Sequence, residues 1–228
     1  MILALQLLLA LGYTACAHLA SLWDNDGLAL AALLALAAML LLEPLLHRRR
    51  WAWLALPAAL WGAWALYRAG HAAVPLLLVP VAFVLAIAWV FARSLRAGAT
   101  PLITRILMGI EGIVDPAGVA PELHSYTRGL TAAWAIALAA MGAANLALAL
   151  LASPGGLLES LGLRSPWPIT PEQWSWIANI LTYGVIGGFF AVEFAIRKRR
   201  FPGHQRSFAG FLRSMAALGP AFWRDLLR

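Results

Sequence analysis

Between Arg68 and Arg93 the chain carries no Asp, Glu, Lys or Arg. An apolar run of about 20 residues matches the thickness of a hydrocarbon core. Inside such a core every backbone N–H and C=O must be bonded within its own segment, so the run is constrained to be a helix. Comparable runs lie at about 2–22, 27–46, 51–67, 74–92, 130–152 and 174–196. They predict an all-α fold, a polytopic membrane helical bundle of about six transmembrane helices. With 62% hydrophobic and only 12% charged residues, the chain lacks the polar surface of a soluble domain. The third run is short and Pro57 interrupts it, whereas Pro75 and Pro80 fall in the first turns of the fourth, where a missing N–H costs less.

The opening "MILALQLLLALGYTACAHLA" has no basic n-region, and Tyr13 stands where a lipoprotein motif wants a small aliphatic residue. It is expected to be a retained helix. Cys16 is the single cysteine, so no internal disulfide can form.

Basic residues orient the bundle. "HRRR" at 47–50, "FARSLR" at 91–96, Arg128 and "RKRR" at 197–200 mark one side. "WDND", "RAGHAA" and the loop 153–173 mark the other. With both termini on the basic side, every Lys and Arg except Arg68 and Arg164 lies there. That side is therefore read as cytoplasmic. Trp23, Trp51, Trp53, Tyr67, Trp174 and Trp176 fall at expected helix ends, as an aromatic belt would. The domain organisation predicted is a transmembrane domain at 1–201 and a cytoplasmic amphipathic tail at 202–228. The former includes a cytoplasmic amphipathic segment at 93–129 and a periplasmic loop at 153–173.

Within 93–129, Leu102, Ile103, Ile106, Leu107, Ile110, Ile113 and Val114 recur at helical spacing. Thr104, Arg105 and Glu111 take the other face, which predicts a helix lying in the interface. Pro101 is expected to open it, and "DPAGVAPE" to end it, with Pro116 and Pro121 as stops. Thr170, Pro171 and Glu172 read as the cap and first turn of the last span. In the tail, Phe208, Phe211, Leu212, Met215 and Leu218 make a second apolar stripe beside Arg206 and Arg213.

No phosphate-binding or dinucleotide-binding glycine loop, no Gly-x-Ser-x-Gly and no Cys/His metal spacing occurs. The histidines at 18, 47, 71, 124 and 204 are scattered, so neither metal nor cofactor is expected. No internal or inverted repeat is visible, which weighs against a secondary transporter. Glu43 reads as a partner of His47 or Arg48, and Glu193 as an i,i+4 partner of Arg197. Asn145 and Asn179 are expected to hydrogen-bond between helices, His18 to be a packed polar residue, and Gly184, Gly187 and Gly188 to form a small face for helix contact.

The remaining cluster is cytoplasmic: Arg93, Arg96, Thr104, Arg105, Tyr126, Arg128 and Arg197. Arginines with hydroxyls suit a phosphate or carboxylate. The competing explanation is that the arginines only set topology and touch anionic inner-leaflet lipid. Both stay open, with His124 and Glu193 as candidate bases should the site be catalytic.

"FARSLRAGATPLITRI", "YTRGLTAAWAIALAAMGAANLALALL" and "WSWIANILTYGVIGGFFAVEFAIRKRRFPGHQRSFAGFLRSM" resemble a family of small uncharacterised bacterial inner-membrane proteins. Genes for that family tend to lie in aryl polyene and xanthomonadin-type pigment clusters, among acyl carrier proteins and ketosynthases. The resemblance covers roughly 88–215 and brings no catalytic residues to carry over. It implies a multi-pass protein of the bacterial inner membrane, with an acyl carrier protein or polyene biosynthetic enzymes as partners. Acyl carriers are acidic and bear a phosphate, so a basic face would steer their encounter. Nothing in the pattern calls for nucleic acid. Three functions follow: an accessory protein docking acyl-carrier-linked or polyene lipid biosynthesis, a membrane-embedded acyl or lipid-head transferase, and a small lipid transporter or flippase component. The absence of a tight acid–base constellation favours the first over an enzyme.

Overall fold

The computed structural model describes residues 2–200, 208–219 and 222–223. Arg206 lies outside them, as do the side chains of Asn179, Phe208, Phe211 and Leu212. Among the described residues the chain is all-α: α1 (Ile2–Trp23), α2 (Asp26–Leu46), α3 (Arg50–Arg68), α4 (Val74–Arg93), α5 (Leu102–Glu111), α6 (Pro121–Leu151), α7 (Leu157–Ser160), α8 (Pro171–Asn179), α9 (Ile186–Arg200) and α10 (Phe208–Ala217). A π-helical stretch, Ile180–Val185, joins α8 to α9 without a break.

Four of these helices are long and apolar enough to cross a membrane: α1, α2, α4 and α6. Their surfaces agree, because Leu8, Leu40, Phe83 and Ile136 stand exposed with no protein over them. A helix that is apolar all round needs a non-aqueous neighbour. The third expected span differs in character. α3 runs unbroken through Pro57, but with Trp51, Trp53, Trp61 and Trp64 and an arginine at each end it is less apolar than α2 and α4. The last expected span is continuous from α8 through α9 but widens to π turns over Ile180–Val185.

The chain folds as two compact units. The first is Met1–Pro80 with Ala147–Pro171. Here α1 and α2 form an antiparallel hairpin. Asn25 caps α2, its Oδ1 accepting the Leu28 N–H at 3.1 Å. Ala20, Ala29 and Ala72 form a buried cluster, with Leu28 and Leu76 against it. Small side chains let the backbones approach, the usual means of helix packing where lipid gives no hydrophobic drive. At the end of α2 the His47 ring Nδ1 donates to the Glu43 main-chain carbonyl at 2.8 Å, a backbone contact in place of the expected pairing with the Glu43 carboxylate. The loop after α6 is also in this unit. Ser153 N–H donates to the Ile169 carbonyl and Ile169 N–H to the Leu151 carbonyl, each at 2.9 Å, closing the loop on the last turn of α6. The Glu159 carboxylate accepts the Ser153 hydroxyl and the Gly155 N–H, the latter at 2.8 Å.

The second unit is Val81–Leu146 with Glu172–Arg228. Gly142 of α6 lies against Leu85 of α4, where any Cβ would collide with the leucine. Pro121 opens α6 instead of stopping the preceding helix. The terminator is Gly112, left-handed at φ 70°, after which Ile113 N–H returns to the Met108 carbonyl at 2.9 Å. The segment 121–129 is therefore the first part of a long helix, since proline at a first turn gives up an N–H that had no partner anyway.

Candidate anion site at the joint of α4, α5 and α6

α5 starts directly after Pro101, and Pro101 supplies no capping side chain. Its first N–H groups would be orphans. The structure caps them from other elements. Leu102 N–H donates to Ser94 Oγ at 2.9 Å, and Ile103 N–H to Thr131 Oγ1 at 3.3 Å. Ser94 lies just past α4 and gives its own proton to the Phe91 carbonyl at 2.7 Å. Thr131 lies in α6 and gives its proton to the Thr127 carbonyl at 2.7 Å.

The hydroxyl protons of this joint can be followed in full. Thr127 Oγ1 donates to the His124 carbonyl at 3.1 Å. Its contact with Thr104 Oγ1 at 2.6 Å then has Thr104 as donor. Ser94, Thr104, Thr127 and Thr131 are all buried, Thr104 and Thr131 completely. Four hydroxyls thus tie α5 to α4 and α6, each with its single proton committed to protein.

This locates the expected anion ligands. Thr104 faces α6, not the polar side of α5, because Thr127 offers it a partner there. Arg128 is exposed, and its Nη2 donates to the Leu95 carbonyl at 3.0 Å, bracing the chain that leaves α4. A cation there also meets the negative end of that helix. The Arg93 guanidinium stacks on Trp89, 4.8 Å from the ring centroid. Arg96 is exposed in the connection between α4 and α5, and Arg105 is half-buried on α5.

Tyr126 and Arg197 belong to a second group, between α6 and α9. The Glu193 carboxylate accepts the Tyr126 hydroxyl at 3.3 Å and pairs with Arg197 Nε at 3.1 Å. Arg200 lies over the Tyr126 ring at 6.0 Å. The next layer along both helices is aromatic: Trp134 packs on Phe189 at 4.3 Å and Phe190 at 5.0 Å, and reaches Phe91 of α4 at 6.3 Å. Of the two candidate bases, His124 gives the joint its backbone carbonyl. Glu193 is neutralised by Arg197, a state suited to holding helices together. Among the described residues no three His, Cys, Asp or Glu side chains gather as metal ligands would.

Sequence reasoning misses Ser94, Thr131 and Trp134. Ser94 and Thr131 could have been found by asking which hydroxyls serve a helix that begins with an uncapped proline. Trp134 gives no such signal, since it lies inside an apolar run.

The chain matches no protein-family model, no curated protein and no solved structure.

Proposed function

We propose that the chain is a multi-pass inner-membrane accessory protein with both termini cytoplasmic. It docks an acidic, phosphate-bearing partner at the cytoplasmic leaflet, and an acyl carrier protein or a polyene biosynthetic enzyme fits that description. The observation that carries this proposal is the arginine-bearing joint. Arg93, Arg105 and Arg128 adjoin in the chain Ser94, Thr104 and Thr127 of the hydroxyl lock that fixes α5 to α4 and α6, Arg96 lies two residues past Ser94, and Arg96 and Arg128 are exposed. Cations on a rigid framework lose little entropy when a partner binds, and their shared sign accelerates encounter with an acidic surface. The six-span arrangement rests on the apolar runs and on the confinement of Lys and Arg, except Arg68 and Arg164, to one side.

The test is a variant with Arg93, Arg96 and Arg105 all replaced by Gln. The remaining basic residues on that side are expected to keep insertion and topology unchanged. Output of the lipid or pigment pathway, read by mass spectrometry against a clean deletion, is expected to fall to the level of the deletion. Normal output would reduce these arginines to topological anchors.

A further inference from the structure

We propose that the 153–170 loop is a lipid-anchoring hook that inserts Leu161, Leu163 and Trp167 into the bilayer leaflet met by the C-terminal end of α6. The proposal rests on reading α6 as a membrane span. The three side chains are 70%, 56% and 75% exposed, an unusual state for large apolar groups gathered in one short loop.

Three features identify lipid as the occupant. The first is position. Ile169 is bonded in both directions to the end of α6, through Leu151 and Ser153, and Trp167 is two residues along the chain from Ile169. An exposed tryptophan at that depth sits where indole rings favour the boundary between chains and headgroups. The second is rigidity. Pro166 and Pro168 flank Trp167. Proline fixes its own φ and drives the preceding residue to extended backbone, so the indole is held out before anything binds it. The third is the separation of charge. Glu159, the acidic residue of the loop, is turned back onto Ser153 and Gly155, while Arg164 follows Leu163 and is exposed. A cation beside the apolar group can reach lipid phosphates from a shallow depth.

The experiment places an environment-sensitive fluorophore at single cysteines in a Cys16→Ser background of the full chain, reconstituted in phosphatidylcholine–phosphatidylglycerol vesicles. Trp167→Cys and Leu161→Cys report on the hook, and both sites are exposed enough to accept a label. Ile136→Cys, on an exposed face of α6, reports on the span itself. Nitroxide lipids quench from near the headgroup or from deep in the acyl chains. Labels at 167 and 161 are expected to be quenched about twofold more by the shallow nitroxide than by the deep one, and the label at 136 the reverse. Quenching at 167 and 161 by aqueous iodide alone would place the hook in water and overturn the proposal. Resistance to both iodide and nitroxide lipid would mean that protein covers it, a second copy included, and would also overturn it. Loss of deep quenching at 136 would instead overturn the reading of α6 as a span, and the proposal with it.

Discussion

Thr104 shows what a buried hydroxyl is worth at this joint. Its single proton goes to Thr127 Oγ1, whose own proton goes to the His124 carbonyl. Thr104→Val keeps the shape and removes the donor, so it is expected to destabilise the protein by about 1–2 kcal/mol, whereas Thr104→Ser loses less. Thermal unfolding in detergent reads the difference, and equal stability of wild type and the valine variant would dismiss the lock. Glu193 and Arg197 are a weaker pair. At 12% and 28% side-chain exposure their attraction is partly screened, so a double-mutant cycle with Glu193→Gln and Arg197→Gln is expected to give a coupling of about 0.5–1 kcal/mol. Glu193→Ala should cost more than Glu193→Gln, because glutamine still accepts from Tyr126.

Elements here are positioned by partners distant in sequence. α5 has a proline at its start and no cap of its own, and it relies on Ser94 and Thr131. Its Gly109 meets the C-terminal segment: a Cβ there would stand 2.6 Å from the Phe222 ring and 3.1 Å from Leu218. Gly109→Val is therefore expected to push the tail off α5 and make it cleavable by protease under conditions where the wild-type tail survives. The loop after α6 carries a pH dependence. The Ser153 hydroxyl, and then the Gly155 N–H, hold the Glu159 carboxyl below its ordinary range. A carboxyl depressed in the folded state stabilises at pH above its unfolded value and loses that contribution as pH falls through the folded value. Hydrogen exchange should show the Gly155 amide losing protection on acidification while the Ile169 amide, bonded to the Leu151 carbonyl, keeps it.

At the scale of the whole molecule, the expected topology is tested by fusion reporters at Gly156 and Arg228. The Gly156 fusion is expected on the outer side and the Arg228 fusion on the inner side. An outer Arg228 would invert the orientation and detach the arginine joint from any cytoplasmic partner. Most of the helices were legible in the chain, because apolar length is a one-dimensional property. α1, α2 and α4 follow the expected runs closely. The start of α6 was not legible, because Pro121 is compatible with ending one helix or beginning another. Only the left-handed turn at Gly112 decides between them.

By itself the sequence determined a helical chain with several membrane-length apolar helices and a strong bias of basic charge, since both follow from composition along the chain. It also supplied the arginines of the joint. Only the tertiary structure decided their situation. Thr104 is buried because Thr127 lies across from it on α6. The pairing of Arg197 with Glu193 was already legible at i,i+4 spacing, and what the tertiary structure adds is Tyr126 of α6, whose hydroxyl donates to the same carboxylate. Trp167 is displayed because Ile169 closes its loop on Leu151. In each case the determinant is a hydrogen bond of fixed direction and reach between residues far apart in the chain. Apolar periodicity carries no record of such contacts.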